Sequence, residues 1–156
     1  MKNSRFPRAV ATLALCAIAL PSLGSEKTPV TRPFKTEGHF TLVLNLLTGT
    51  LETQNWGEAT HVGRFCCLAS GTMDPVTGRV SGTSHMLAAN GDELYESIEG
   101  SLDQATVTFT GGTGRFKNAS GSYLLGPASI PQFSYDWVNM TMTMTCSVTG
   151  TGTITY

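Results

Sequence analysis

Beyond residue 25 this sequence lacks most of what would build a helical protein. It has no stretch of three helical turns with a 3.6-residue apolar period, no apolar run long enough to cross a bilayer, no low-complexity segment and no block of like charge. Charged side chains make up only 13% of the chain, which together with 17 glycines and abundant threonine suits strands and tight turns. Catalytic signatures are missing too. There is no Gly-x-Ser-x-Gly elbow and no His-Glu-x-x-His pair, so hydrolase chemistry has neither a strained nucleophile nor a metal-bound base. The glycine-rich stretch at 111–114 leads into neither Lys-Ser nor Lys-Thr, and Lys117 stands where a dinucleotide fingerprint needs its third glycine. That excludes the two common phosphate cradles.

What is present begins with an export pattern. Lys2, Arg5 and Arg8 form a basic start, Ala9 to Leu20 is apolar apart from Thr12, and Pro21-Ser22-Leu23-Gly24-Ser25 supplies small residues for cleavage. The three parts together predict a secretory signal peptide over 1–25, and hence a secreted or periplasmic protein. Leu15 before Cys16 is too bulky for a lipoprotein cleavage site, so no lipid anchor is expected. Cleavage would remove three basic side chains and no acidic one, leaving seven against eleven and a net charge of −4 in place of −1. A mildly acidic exported domain predicts neither nucleic acid nor a membrane as partner. Residues 26–33, polar and holding Pro29 and Pro33, read as an extended leader. Residues 34–156 are one domain, large enough for a core.

Within that domain, alternation marks the strands. Phe40, Leu42, Leu44 and Leu46 share one face of a strand over 34–46, and Met140, Met142, Met144, Cys146 and Val148 share one face over 137–149. Further strands are predicted over 58–69, 79–89, 92–102, 105–110, 120–124 and 151–156, with loops at 47–55 and 126–136. Asp74-Pro75-Val76-Thr77-Gly78 has turn chemistry, and Asn90-Gly91 predicts a type I′ hairpin in which both residues take positive φ. Eight strands with short turns predict an all-β fold, a closed eight-stranded antiparallel barrel, since closure removes edges that a threonine-rich chain would leave open. A two-sheet sandwich is the alternative.

The stretch Gly111-Gly112-Thr113-Gly114-x-Phe116-x-x-Ala119-x-Gly121 resembles the glycine-rich motif of the allene oxide cyclase and dirigent protein superfamily. Residues 59–65 and 88–92 resemble segments of exported bacterial members of that barrel group. The resemblance implies an eight-stranded antiparallel barrel, often trimeric, around a mostly apolar cavity, with no metal and no organic cofactor. Cyclases of the group close an unsaturated fatty-acid epoxide into a ring, and dirigent proteins steer the coupling of phenoxy radicals. The motif carries over as architecture. Gly111, Gly112 and Gly114 are expected to make the turn, Phe116 to fill the barrel end, and Ala119 and Gly121 to allow close backbone packing. No stretch matches the catalytic positions of either plant family.

Candidate site residues follow from their phase. Glu96 alternates with Leu94 and Ile98; facing inward it would be a carboxylate with a raised pKa, suited to acid–base work, and facing outward a soluble rim. Arg64 shares a face with Val62, Cys66 and Leu68, which suits an ion pair or an anionic ligand head, and His61 is the third catalytic candidate. Met142 and Met144 suit an adaptable apolar pocket or core filling. His39, His61 and His85 fall on three strands, but nothing in their spacing makes them converge, and no metal is expected. Adjacent strand residues point opposite ways, so at most one of Cys66 and Cys67 can face Cys146. Cys67–Cys146 is the expected pair, with buried free thiols as the alternative. The domain is therefore expected to be a non-enzymatic binding or scaffold barrel for a small apolar ligand, forming a homo-oligomer as the family resemblance implies. The competing expectation is a cofactor-free cyclase or isomerase acting on lipid-like or phenolic substrates. An outer-membrane barrel is set aside, because it needs alternation on every strand and aromatic girdles, and only 137–149 alternates cleanly.

Overall fold

In the computed structural model, which describes residues 28–156, the alternating segments become β1 (Thr31–Asn45), β2 (Thr50–Ala59), β3 (Gly63–Met73), β4 (Val80–Ala88), β5 (Glu93–Gly100), β6 (Ala105–Gly112), β7 (Ser120–Pro127), β8 (Gln132–Asp136) and β9 (Thr141–Thr155). A single 3₁₀ turn, Gly114–Phe116, joins β6 to β7. The expected signal peptide lies outside the described residues. Successive strands pair antiparallel from β1 to β7, β7 pairs with β9, and β9 returns to pair with β1 from Thr31↔Thr155 to Asn45↔Thr141. The sheet thus closes as an eight-stranded antiparallel barrel. β8 is the extra strand. It pairs only with the first five residues of β9 and continues the line of β7 beyond the point where β6 begins.

Alternation decides what fills the barrel. Phe34, Leu42 and Leu44 of β1, Met86 and Ala88 of β4, and Met142, Met144 and Ile154 of β9 are buried, and their sequence neighbours face out. The interior divides into two apolar clusters. One gathers Phe34, Phe65, Met86, Leu94, Phe109, Phe116 and Ile154, and the other Leu42, Leu44, Leu51, Val80, Met142 and Met144. Closing so small a barrel demands strong coiling, and glycine provides it: Gly71 and Gly82 stand opposite each other on β3 and β4, where a Cβ on either would strike the partner backbone.

Several expectations need correction. The segment 47–55, expected as a loop, is mostly β2; its inward positions include Thr53 and Asn55, so the apolar alternation that reveals a strand is missing. The strand expected over 58–69 is cut at Thr60–Val62, where His61 takes φ 68° and Gly63 φ 77°. Thr31 to Pro33, expected in the leader, already pair with β9. The strands expected over 137–149 and 151–156 are one, β9, and Met140 falls in the preceding turn at φ 51°. At Asn90-Gly91 only Gly91 takes positive φ (86°), so the hairpin is not type I′. The expected Cys67–Cys146 disulfide is absent, and all three described cysteines are free. Both residues do face inward, but the register runs Cys67–Asn55–Phe40–Cys146 across β3, β2, β1 and β9. Three strand spacings are about 14 Å along the wall, beyond the ~7 Å Cα separation that a bridge tolerates.

Candidate functional site

The β4–β5 hairpin sets Ser84 directly opposite Glu96, both pointing into the barrel. Beside them the pairing of β5 with β6 slips: Tyr95 faces Gly111 but Glu96 faces Phe109, leaving Thr110 as an extra residue. Such a bulge bends its strand and re-aims the side chains next to it. Glu96 is 2% exposed. Its Oε2 accepts a hydrogen bond from Ser84 Oγ at 2.5 Å and its Oε1 accepts one from Tyr123 Oη at 3.1 Å. Burial holds the Glu96 carboxyl above the usual carboxylate range, against the pull of the two donors, which favour the ionised form. The Tyr123 hydroxyl is pushed well above its ordinary value, by burial first and by the charge of Glu96 second. The Cys67 thiol is pushed up to about 12, again mainly by burial and then by Glu96. A thiol so placed is no nucleophile.

Thr36 and Asn55 complete the buried polar set, and Asn55 Oδ1 is buried with no hydrogen-bond partner among the described residues. These side chains occupy a level between the two apolar clusters: Asn55 lies between Ala59 and Leu51 on β2, and Ser84 between Met86 and Val80 on β4. A polar belt therefore crosses the barrel.

On one side of the belt is an apolar cavity of about 70 Å³. Ala69, Gly82 and Ile98, which line it, are the next inward residues after Cys67, Ser84 and Glu96 on β3, β4 and β5. Phe40, Leu51, Leu102 and Met144 close the rest, and no acidic or basic side chain reaches the lining. On the other side the barrel is filled. Phe116 is fully buried there with Phe34, Ala119 and Ile154, and its ring meets Tyr156 edge-on at 5.2 Å. The turn carrying Phe116 is strapped to the β4–β5 turn through Asp92, which pairs with Arg115 at 3.4 Å and accepts from Asn90 Nδ2 at 2.8 Å. Gly114, at φ 52°, lies against that carboxylate where a Cβ would collide with it.

The structure thus gathers some of the sequence candidates and disperses others. Glu96 faces inward; Arg64 is exposed on the outer face of β3, in register with Glu58. His61 sits in the β2–β3 turn with Nε2 3.0 Å from the Pro33 carbonyl oxygen, away from Glu96. Met142 and Met144 are buried, and Met144 lines the cavity. Gly111 and Gly112 end β6 before the turn, and Gly121 of β7 packs its Cα side against the Thr153 backbone. His39, His61 and His85 do not converge, and among the described residues no group of three or more His, Cys, Asp or Glu lies close enough to hold a metal ion. Sequence reading missed Ser84, Tyr123 and Asn55 as companions of Glu96. Ser84 had a signal: it and Glu96 are equidistant from Asn90, the centre of the hairpin.

No known family model and no curated protein matches this sequence. Among solved structures, the fold is similar to that of the pterocarpan synthase dirigent protein GePTS1, with a TM-score of 0.54 and 12% identity over 85% of this chain and 89% of that one. Identity so low makes this a likeness of fold. The protein is built on a dirigent-like β-barrel.

Proposed function

We propose that the protein is a non-enzymatic binding barrel, which takes one end of a small apolar ligand into the cavity beside Ile98 and Met144. The observation that carries this reading is the lining itself. It is apolar, and Glu96, one step behind it, has both oxygens committed to Ser84 and Tyr123. A cavity of about 70 Å³ is well short of the ~300–1,000 Å³ that drug-sized ligands occupy. It suits a short alkyl segment or the edge of a ring, with the rest of the ligand in the mouth. There Phe133 and Tyr135 of β8 share a sheet face with Met144 and Met142, their register partners. The likeness of the fold to a dirigent protein supports a scaffold role in the same way. Native mass spectrometry of protein purified from its host is expected to show a carried apolar molecule, and Ala69→Leu, which fills the cavity, is expected to abolish it. Equal uptake of a neutral apolar dye by Ala69→Leu and wild type would end this reading.

One observation favours a second reading, a cofactor-free cyclase or isomerase: a buried carboxyl with a raised pKa stands next to the cavity. Glu96→Gln separates the two, since carriage survives it and turnover would not. Export and homo-oligomer formation belong to the same proposal. They are supported by the basic, apolar and small-residue order of positions 1–25 and by the glycine-rich motif.

A further inference from the structure

Three turns at the cavity end of the barrel are built alike. In each, a side-chain oxygen at the end of a strand accepts the backbone N–H groups two and three residues on: Asn45 from Leu47 and Thr48, Asp74 from Val76 and Thr77, Asp136 from Val138 and Asn139, at 2.8–3.3 Å. This pinning fixes the turn and sets the residue two along at its tip. In all three that residue is aliphatic and bare: Leu47 is 73%, Val76 91% and Val138 92% exposed. Trp137 stands beside Val138, also exposed, with Tyr135 stacked on it at 5.3 Å and the rings 7° apart. The turns at the other end carry Asn90, Arg115 and Lys117 instead. An exposed apolar rim of this extent marks an interaction site.

We propose that this rim docks the barrel onto the surface of an uncharged, zwitterionic phospholipid bilayer, its tips sunk among the headgroups and the cavity mouth against the lipid. Three features select that occupant. Each apolar tip is followed in the chain by a polar residue, Thr48, Thr77 or Asn139, so the rim offers its apolar surface as points on three turns rather than as one run. A fluid phase closes around such points, whereas a folded partner would need matched packing to avoid gaps. The turns of this rim carry Asp74, Asp103 and Asp136 against Arg79, which opposes anionic lipid. Tryptophan and tyrosine with one apolar and one polar side suit the headgroup boundary. The link to the cavity, through which an apolar ligand would pass between lipid and barrel without crossing water, rests on the binding reading above. The sequence expectation of no membrane partner rested on net charge and on apolar run length, and single residues at turn tips register in neither.

The test is flotation of the protein, recovered after export, with phosphatidylcholine vesicles, followed in parallel by tryptophan fluorescence, to which Trp56 and Trp137 both contribute. Wild type is expected to float and its emission to shift to the blue. Leu47→Ser/Val76→Ser/Val138→Ser, with all three changes on exposed side chains, is expected to lower the bound fraction at least ~10-fold. A wild type that stays with the soluble fraction would overturn the proposal. So would a triple variant that floats equally well, or one that instead dissociates an oligomer in light scattering, which would assign the rim to a second copy. Equal dye uptake by Ala69→Leu and wild type, with flotation intact, would end the binding reading and leave docking standing alone. Flotation lost while wild type still takes up dye from solution would sink docking and spare the binding reading.

Discussion

At one end of the barrel Phe116 is fully buried with Phe34, Ala119 and Ile154; at the other, Leu51, Leu102 and Met144 leave a cavity. The first end is tied down by the Asp92–Arg115 strap and by Tyr156, and its turns are polar. The second has turns pinned just as firmly, by Asn45, Asp74 and Asp136, yet what they hold out to solvent is apolar. Rigidity is therefore common to both ends, and the difference lies in where apolar surface goes. At the filled end it is buried, where each large side chain contributes roughly 1.5–3 kcal/mol. At the open end the cluster of Leu42 and Met144 is buried too, but the turn tips beyond it are displayed, where they contribute little to folding and are free to meet something else.

Four experiments would break or sharpen that contrast. Phe116→Ala removes the plug and is expected to cost ~3–5 kcal/mol in urea denaturation; a loss below ~1 kcal/mol would show that the filled end does not depend on it. Gly114→Ala forces a side chain into left-handed φ against the Asp92 carboxylate, with an expected cost of ~1–3 kcal/mol by the same measurement. An unchanged midpoint would mean that the strap yields freely.

Glu96, on the belt between the ends, gives a pH signature. Its folded-state pKa is raised, so the native protein holds that proton more tightly than the unfolded chain does. Stability should then fall as pH rises past ~4.5, by at most ~1.4 kcal/mol per pH unit, until the folded pKa is passed. Glu96→Gln keeps a similar shape and is expected to lack this decline; parallel pH–stability curves for the two proteins would refute the assignment. The smallest effect is expected at the open rim. Val76→Ser should change stability by less than ~0.5 kcal/mol, and a drop above ~1 kcal/mol would mean that the exposed tips are structural after all.

Much of this contrast was legible at the filled end and little of it at the open end. The glycine-rich stretch announced a turn with Phe116 behind it, because three glycines in four residues mark an unusual backbone whatever surrounds them. The Asn90-Gly91 turn also held the signal for Ser84, six residues before Asn90 as Glu96 is six after it, yet Ser84 was missed. β2 and β8 were hidden for opposite reasons. β2 points Thr53 and Asn55 inward, which blurs its alternation, and β8 shows Phe133 and Tyr135 on the interior's side of a sheet that has nothing left to cover them. The cysteines show the same limit. Alternation fixed their face, but it could not count the strands between them.

The residues by themselves determined that this chain is a strand-and-turn protein, that it reverses at 74–78, at 90–91 and after 111–114, and which side chains share a face within a strand, because a period of two and turn chemistry are written locally. Only the closed structure decided that Tyr123 would reach Glu96, that Cys67 and Cys146 would stand three strands apart, and that one end would fill while the other stayed open. Those outcomes depend on register between strands far apart in sequence, which no local pattern encodes.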